Sequence, residues 1–532
     1  RLGLNLEKGV GPMDARWVTG ILLAAVVVAV GQEAHQHGSG NEERLGDVTF
    51  PVSCAREVQK PFERGVALLH SFAYAAAEKQ FAEIARTDEK CAMAHWGMAM
   101  SYYHQLWDPR IAATDVERGR REIETAQKIG GGTEREREYI AALEAFYRDT
   151  GTVKPETRAA AYAEAMSRAS VQGAKDVEAQ IFEALALLST ASASDRSRRN
   201  QKRAAAILEP LYKEYPQHPG IAHYLIHAYD NPELARSGLP AARAYAQIAP
   251  AAPHALHMPS HIFTQLGLWD DSIRSNQAAR EAAHSHGDVG EELHAMDYLE
   301  YAYLQAGKNE EASKLRETVV AMKGLAPGDF KAGYAAAAIP VRYAIERRAW
   351  AEAGAIEPRA ESLPQVAALS YWGRAVGLAR SGKTEAAEHE VAELQRCLEK
   401  VRTAQDEYWA AQVEIQLAEA GSWIAYAKGQ KEEATALLRK AADQEDGLEK
   451  RPITPGPLVP AREQLGELLL ESHQPREALR EFEEGMANAP RRRGGLRGAA
   501  VAAELAGETT KAERYRKELS NLSAERAERA ER

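Results

Sequence analysis

The sequence has no excess of positive charge and few aromatic residues. Its 77 acidic residues outnumber 67 lysines and arginines, giving a formal net charge of −10, and aromatic residues make up 7% of the chain. An acidic chain lacks the basic surface that attracts phosphate backbones, so we expect no nucleic-acid partner. At 532 residues and 45% hydrophobic composition, it exceeds one compact domain, which predicts several domains or a repeat array.

A long apolar run is also missing. The most apolar stretch, residues 18–30, is shorter than the ~20 residues that a membrane-spanning helix needs. Arg16 precedes it and the small residue Ala29 lies at its end, so residues 1–31 are predicted to be a signal peptide, with an uncleaved anchor as the alternative. Residues 32–55 are predicted to be flexible. We expect an exported protein, periplasmic or otherwise extracytoplasmic, that meets a membrane only through an uncleaved N-terminal segment.

Cysteine is scarce, with three residues in the chain. In an exported protein, a disulfide between Cys54 and Cys91 would join the segment before the first helix to the second helical pair. Cys397 would then be a free thiol. Three unreactive thiols are the alternative.

No segment alternates between apolar and polar residues as a β-strand does. Beyond residue 60, apolar residues recur at intervals of three and four, and turns with Gly, Pro or Asn interrupt this pattern at short intervals. The pattern predicts short helices throughout. It recurs most fully at 466–490, GELLLESHQPREALREFEEGMANAP, where Gly466, Ala478, Phe482 and Pro490 have the spacings of a tetratricopeptide repeat.

Over residues 60–525 the chain therefore resembles the tetratricopeptide repeat superfamily, and it is similar to exported bacterial members with histidine-bearing repeats. The resemblance implies an all-α fold, an α-solenoid of tetratricopeptide-like helix pairs wound into a right-handed superhelix with a concave inner surface. We divide it into a histidine-rich N-terminal array at 56–290, a C-terminal array at 291–525 and a charged tail at 526–532.

Catalytic signatures are missing as well. No nucleophile elbow, His-Glu-x-x-His run or Cys-x-x-Cys pair occurs. GLARSGKT at 377–384 matches the phosphate-loop pattern, with Lys383 and Thr384 at its end, but a helical pattern precedes it instead of a strand. We interpret it as a turn between helices. These absences favour a scaffold that binds a protein, peptide or small ligand in its groove, with a metal-dependent enzyme as the alternative.

What the sequence does have is histidine, concentrated between His70 and His294. Residues 216–230, PQHPGIAHYLIHAYD, match residues 250–264, PAAPHALHMPSHIFT, at an offset of 34 in two prolines and two histidines. A spacing of four places the members of each histidine pair on one helix face, and neighbouring helices pack about 10 Å apart. The two pairs are therefore predicted to face each other.

Three interpretations of this cluster stay open. Imidazoles on facing helices suit zinc, copper, nickel or iron; a polar groove could hold a ligand; or the histidines could be structural. The candidate metal ligands are His223, His227, His254, His257, His261, His294, Asp230 and Asp297. Pro259 either kinks its helix or starts a new one, which would weaken the shared face of the second pair.

Further candidates lie nearer the N-terminus. His70 and His104 are also 34 residues apart, and His95, Trp96 and Tyr103 are close in sequence. These five residues are predicted to line the ligand groove. An enzyme would also need a general base, for which Asp230, Asp297 and Glu300 are the candidates.

Overall fold

The protein folds as an α-solenoid of tetratricopeptide-like helix pairs. A computed structural model describes residues 44–106, 111–130, 132–173, 175–326 and 329–524. These ranges contain helices and connecting turns but no β-strand, and none of their helices is long and apolar enough to cross a membrane. The predicted signal or anchor segment at 1–31 and the tail at 526–532 lie outside the described residues.

The helices follow one another along the chain, after a single 3-10 turn at Arg56–Val58. They are α1 Gln59–His70, α2 Tyr74–Thr87, α3 Ala92–Tyr102, α4 Ala113–Ile129, α5 Glu134–Tyr147, α6 Pro155–Gln172, α7 Val177–Ser189, α8 Arg199–Glu214, α9 Pro219–Tyr229, α10 Ala235–Ile248, α11 Pro253–His257, α12 Pro259–Gln265, α13 Trp269–His286, α14 Val289–Gln305, α15 Asn309–Ala321, α16 Phe330–Glu346, α17 Trp350–Gly354, α18 Pro364–Arg380, α19 Thr384–Thr403, α20 Glu407–Ala427, α21 Lys431–Asp446, α22 Ala461–Glu471, α23 Pro475–Asn488, α24 Arg493–Leu505 and α25 Thr509–Ala524. The phosphate-loop lookalike joins α18 to α19, as predicted.

Helices of one repeat touch where glycine meets phenylalanine. The Phe81 ring of α2 lies between Gly65 of α1 and Gly97 of α3, so close that a Cβ on either glycine would overlap the ring. Only glycine permits this approach. It lets three consecutive helices share one buried side chain.

The same arrangement recurs at the other end of the array. Phe482 of α23 lies between Gly466 of α22 and Gly498 of α24, and Ala478 beside it is fully buried. Gly466, Ala478 and Phe482 are residues whose spacing carries the tetratricopeptide resemblance. Their contacts explain why that spacing matters for packing.

Residues 44–55 pack against the array, so the predicted flexibility of 32–55 is wrong for this part. The Asp47 backbone N–H donates to the Gln217 carbonyl at 2.9 Å. Phe50 is fully buried, and a buried aromatic ring anchors the chain around it. Its neighbouring rings belong to Phe62, Trp96 and Tyr139.

A disulfide joins this segment to the array. Cys54 and Cys91 are bonded, with Cα atoms 4.9 Å apart, and Cys91 lies directly before α3. Cys397 is buried in α19 as a free thiol.

The hydrophobic core forms two clusters, one from Leu45 to Phe263 and the other from Trp269 to Leu522. They divide between α12 and α13, earlier than the predicted boundary at 290/291, because α13 packs on α14 within the second cluster. Each part also curls back on itself: α1 contacts α9, and α14 contacts α24.

A loop adds to the contacts between the two parts. Residues 447–460, termed the crossing loop, run from α21 to α22 and reach back to the first half of the chain. The Glu449 backbone N–H donates to the Ala193 carbonyl at 2.7 Å, and the Tyr298 hydroxyl donates to the Thr454 carbonyl at 2.9 Å. The loop is therefore held by α14 and by the turn after α7.

Gly97→Ala should lower the free energy of unfolding by about 1–3 kcal/mol, because the new Cβ overlaps the Phe81 ring. Gly421→Ala in α20 is the matched control: its Cβ would meet Leu437 at 3.7 Å, an ordinary contact. At this position, the higher helix propensity of alanine should raise the free energy of unfolding by up to about 1 kcal/mol. Urea unfolding followed by circular dichroism measures both variants. Equal effects of the two substitutions would contradict the packing role of Gly97.

Candidate metal centre

Pro259 ends the second histidine-bearing helix and begins a new one, but the backbone between the two stays helical. α11 begins at Pro253, and α12 begins at Pro259, which lacks the N–H needed to continue α11. The sequence left a kink or a new start open, and the structure has a new start. Met258 between the helices keeps helical angles, φ −54° and ψ −35°, so His257 and His261 remain one turn apart on a shared face.

Three imidazoles from α9 and α11 meet in the interior. The Nε2 atom of His223 lies 3.0 Å from Nε2 of His227 and 3.2 Å from Nε2 of His254. All three side chains are buried. We term these residues the first triad.

A second group of three lies beside it, from α11, α12 and α14. The Nε2 atoms of His257 and His261 are 3.0 Å apart, and the rings of His257 and His294 are 4.4 Å apart between centroids. Within each triad the potential ligand atoms all lie within 4.8 Å of one another. His227 of the first triad lies 5.8 Å from His261 of this second triad, measured between ring centroids.

Outer hydrogen bonds orient the rings of the first triad. His223 Nδ1 lies 2.6 Å from the backbone oxygen of His70, which can only accept a hydrogen bond. His254 Nδ1 lies 3.1 Å from the Glu291 carboxylate. Burial raises the pKa of the Glu291 carboxyl, but Lys331 and His254 lower it by more, so it stays ionised. Both Nδ1 atoms therefore carry the ring hydrogen.

The second triad is oriented in the same way. His257 Nδ1 lies 2.7 Å from Oδ1 of Asn276, whose amide is fixed because its Nδ2 donates to the Ser272 carbonyl. His261 Nδ1 lies 2.7 Å from the Asp230 carboxylate. Here too the acceptor requires the hydrogen on Nδ1.

The inner nitrogens of His257 and His261 are consequently left without hydrogens. Both of these rings are neutral, and their bare Nε2 atoms face each other. Two lone pairs at 3.0 Å repel and cannot form a hydrogen bond. A proton or a cation between them would relieve the repulsion. Nitrogens bound tetrahedrally at about 2.0–2.1 Å from an ion lie roughly 3.3 Å apart, so the spacing fits a metal.

Burial disfavours protonation of the triad imidazoles. It lowers the pKa of His223, His227, His257 and His294 well below the ordinary value, and neighbouring imidazoles lower it further. For His261, burial outweighs the opposite effect of a carboxylate partner. These five rings are therefore neutral at pH 7, the form in which imidazole binds metal ions.

Asp230 connects the second triad to the crossing loop. Its Oδ2 accepts from His261 Nδ1 and, at 2.6 Å, from the Lys450 ammonium, while its Oδ1 accepts from Gln265 at 3.0 Å. Burial raises the pKa of Asp230, but Lys450 and His261 lower it by more. The carboxylate thus orients a triad imidazole and does not face the inner nitrogens.

Asp297 and Glu300 do not join either triad, although the sequence suggested both as site residues. The Arg342 guanidinium lies 2.5 Å from Asp297 and 3.1 Å from Glu300, all three fully buried. Burial raises the pKa of Glu300 to about 8 despite this partner. The buried Arg342 binds both carboxylates because an unpaired guanidinium in the interior would raise the free energy of the folded state.

In a third histidine group, a carboxylate lies between the two rings. His70 Nε2 lies 2.9 Å from Oε2 of Glu178, and His218 Nε2 lies 2.9 Å from Oε1 of the same carboxylate. The Tyr224 hydroxyl lies 2.9 Å from His70 Nδ1. Burial raises the pKa of Glu178, but both imidazoles lower it, to about 2. Each ring donates to the carboxylate, so no two bare nitrogens face each other here.

The predicted groove residues do not share one surface. Trp96 and Tyr103 are each 1% exposed, so their assignment to a groove is wrong. Large aromatic rings stabilise the folded state most when they are buried among other rings. His70 belongs to the buried group around Glu178. His95 and His104 are half-buried, the first bonded to a glutamate of α4 and the second stacked on a tyrosine of α2.

Four residues that orient the triads were missed from the sequence. Glu291 lies three positions before His294 and could have been noticed as an acidic neighbour. No local pattern marks Asn276, Lys331 or Lys450, and Lys450 lies 220 residues from its partner Asp230.

No protein-family model matches the chain, and no curated protein matches it. Among solved structures, the chain is similar to the human IFIT1 dimer with m7Gppp-AAAA, at 13% identity over 81% of this chain and 90% of that one, with a TM-score of 0.33. It is also similar to the P58(IPK) TPR domain, at 12% identity over 85% of this chain and 99% of that one, with a TM-score of 0.23. Such low scores carry no inference about function, and the architecture rests on the helix pairs described above.

Acid should destabilise the protein in the presence of a chelator. Because the fold lowers the pKa of triad histidines, the unfolded chain binds protons first as pH falls below about 6.5. The free energy of unfolding should then decrease between about pH 6.5 and pH 5, by up to about 1.4 kcal/mol per pH unit for each histidine. Urea midpoints at pH 7, 6 and 5 measure this. His223→Gln should flatten the dependence and exposed His389→Gln should not; a midpoint unchanged from pH 7 to 5 would contradict the assignment.

Proposed function

We propose that the protein is a metal-binding helical-repeat scaffold that holds two transition-metal ions, one in each histidine triad. The facing bare Nε2 atoms of His257 and His261 carry this proposal, and the Nε2 atoms of the first triad lie at a similar spacing. Imidazole nitrogens grouped at this spacing form a donor set for cations.

The donor set indicates which ions would suit it. Three neutral imidazole nitrogens match zinc, copper, nickel or iron, and a three-ligand site leaves a further position for water or substrate. A bound ion would supply Lewis acidity and a water of lowered pKa. The protein's own groups orient the rings: the Asp230 and Glu291 carboxylates and the Asn276 amide accept the Nδ1 hydrogens. A metal-dependent enzyme is therefore the alternative to a pure binding role.

Recruitment of a protein or peptide along an open groove has less support. The histidine-bearing helices are buried, and the crossing loop bonds to the interior helix α14 through Tyr298. The expectation that nucleic acid is not a partner stays a prediction from the charge of the chain.

Metal stoichiometry tests the proposal. Chelator-treated protein is equilibrated separately with Zn²⁺, Cu²⁺, Ni²⁺ and Fe²⁺, desalted and analysed by elemental mass spectrometry. We expect about two ions per chain for at least one metal, since each triad offers three ligands. His223→Gln should remove one ion and His257→Gln the other, whereas exposed His389→Gln should keep both.

Two results would overturn the proposal. One is less than about 0.2 ion per chain for every metal. The other is a stoichiometry that both triad substitutions leave unchanged. A single ion lost on either substitution would replace the two-ion assignment with one shared site.

We also propose that the protein works outside the cytoplasm. The pairing of Cys54 with Cys91 supports this, because such bonds persist in oxidising compartments. Protein isolated from its native host should lack residues 1–31 and show no free thiol at either cysteine. Intact-mass and peptide mass spectrometry measure both features. A retained N-terminus with both cysteines alkylated would contradict the export proposal.

A further inference from the structure

The crossing loop borders a cavity that contains none of the triad histidines. It has a volume of about 150 Å³ and is lined by helices of the second half of the chain, by residues of the crossing loop, and by a few residues of the first half, among them Arg198 and Gln265. A cavity of this size accommodates a molecule about as large as benzene. Arg196 and Asn488 on its rim are exposed.

Aromatic rings form much of its wall. Trp409 lies 5.8 Å from Tyr334 and 5.0 Å from Tyr408 between ring centroids, and Trp372 also lines the space. Tyr301 completes this wall, but the Arg492 guanidinium already lies 5.2 Å from its ring. Such ring faces attract cations that lose water on entering.

The basic side chains of the lining already have carboxylate partners. Each guanidinium or ammonium forms an ion pair at 3.2 Å or less. The pairs are Arg196 with Glu449, Arg198 with Glu449, Lys450 with Asp230, and Arg462 with Asp446. The lining therefore offers no unpaired cation to an incoming anion.

Two carboxyl groups of the lining differ in this respect. Among the described residues, no basic nitrogen lies within ion-pair distance of Glu419 or Glu445. Glu419 is 3% exposed and accepts from the Gln464 amide at 2.7 Å, and Glu445 accepts from the Ala461 backbone N–H at 2.9 Å. A buried carboxylate without a cation is costly, so these groups favour a cationic partner.

One further acceptor of the lining lacks a partner. The Oε1 atom of Gln416 is inaccessible to solvent and without a hydrogen bond. Buried donors and acceptors are rarely left unsatisfied in folded proteins. A ligand with its own polar group would satisfy it.

We propose that this cavity binds a small organic cation, a substituted ammonium compound with a polar group. Its charge lies against Glu419 and Glu445, its alkyl groups contact the rings of Trp372 and Trp409, and its polar group reaches Gln416. This site does not depend on the metal proposal, since it shares no ligand with either triad.

Binding should be coupled to proton release. Burial raises the pKa of Glu445 to about 8, with Asp446 raising it and Arg492 and Arg462 lowering it; burial and Glu445 raise the pKa of Glu419. Glu445 is therefore largely protonated at pH 7. A bound cation favours the carboxylate form, so affinity should increase as pH rises from 6 to 9.

Choline and its neutral isostere 3,3-dimethylbutan-1-ol provide a matched test with the full chain. Isothermal titration at pH 8 should show choline binding at least tenfold more tightly, with heats that depend on the buffer because protons are released. Glu419→Gln should weaken choline binding at least tenfold, since it keeps the shape of the protonated acid but cannot carry charge. Glu407→Gln, exposed on the same helix α20, should leave it unchanged.

Three outcomes would overturn the proposal: no choline binding, equal binding of the neutral isostere, or an unchanged affinity in Glu419→Gln. Thermal unfolding of that variant checks its fold. If it proves unfolded, Glu445→Gln replaces it with the same expected loss, and an unchanged affinity there overturns the proposal equally.

Discussion

A buried imidazole nitrogen without a hydrogen needs a donor or a cation opposite it, and this requirement governs the centre of the molecule. The outer acceptors Asp230, Glu291 and Asn276 hold the ring hydrogens outward. Burial keeps the rings neutral. Orientation and burial together leave the inner nitrogens facing one another, a state that costs free energy unless a cation occupies the space between them. The contrast with His70 and His218 shows that the chain can also place a carboxylate between two buried imidazoles, so that both Nε2 atoms have an acceptor.

The solenoid creates these surroundings by curling. Glycine and phenylalanine pairs such as Gly97 with Phe81 bring helices close, and the return of α1 onto α9 closes the first part of the array. The triads lie where the first hydrophobic cluster ends and the second begins. The crossing loop adds Lys450 to this junction, and its ammonium holds Asp230 in the ionised form that accepts a hydrogen from His261. A loop far along the chain thus determines the tautomer of a triad ring.

The cavity and the triads present different groups to a cation. Neutral nitrogen donors with outward carboxylates form the triads, whereas acids without a basic partner, Glu419 and Glu445, lie among the aromatic rings of the cavity. The crossing loop borders the cavity and contacts the second triad through Asp230. A change in the position of the loop would therefore alter both the cavity wall and the contact with Asp230. The loop is thus a structural link between the two sites.

The sequence by itself determined the helical repeats and the facing histidine pairs, because both depend on local spacing. Residues four apart share a helix face, and equivalent positions in successive repeats lie side by side, so the offset of 34 brought His223 and His257 into one region. Glycine and phenylalanine spacing predicted the helix pairs for the same reason.

Only the tertiary structure decided how the histidines are grouped and what surrounds them. The six imidazoles divide into two triads because α11 contributes to both, and Asp297 leaves the site because Arg342, 45 residues away, binds it. Trp96 and Tyr103 became core residues through contacts with helices distant in sequence. Long-range partners such as Lys450 depend on the curvature summed over many helix pairs, and no local periodicity encodes that sum.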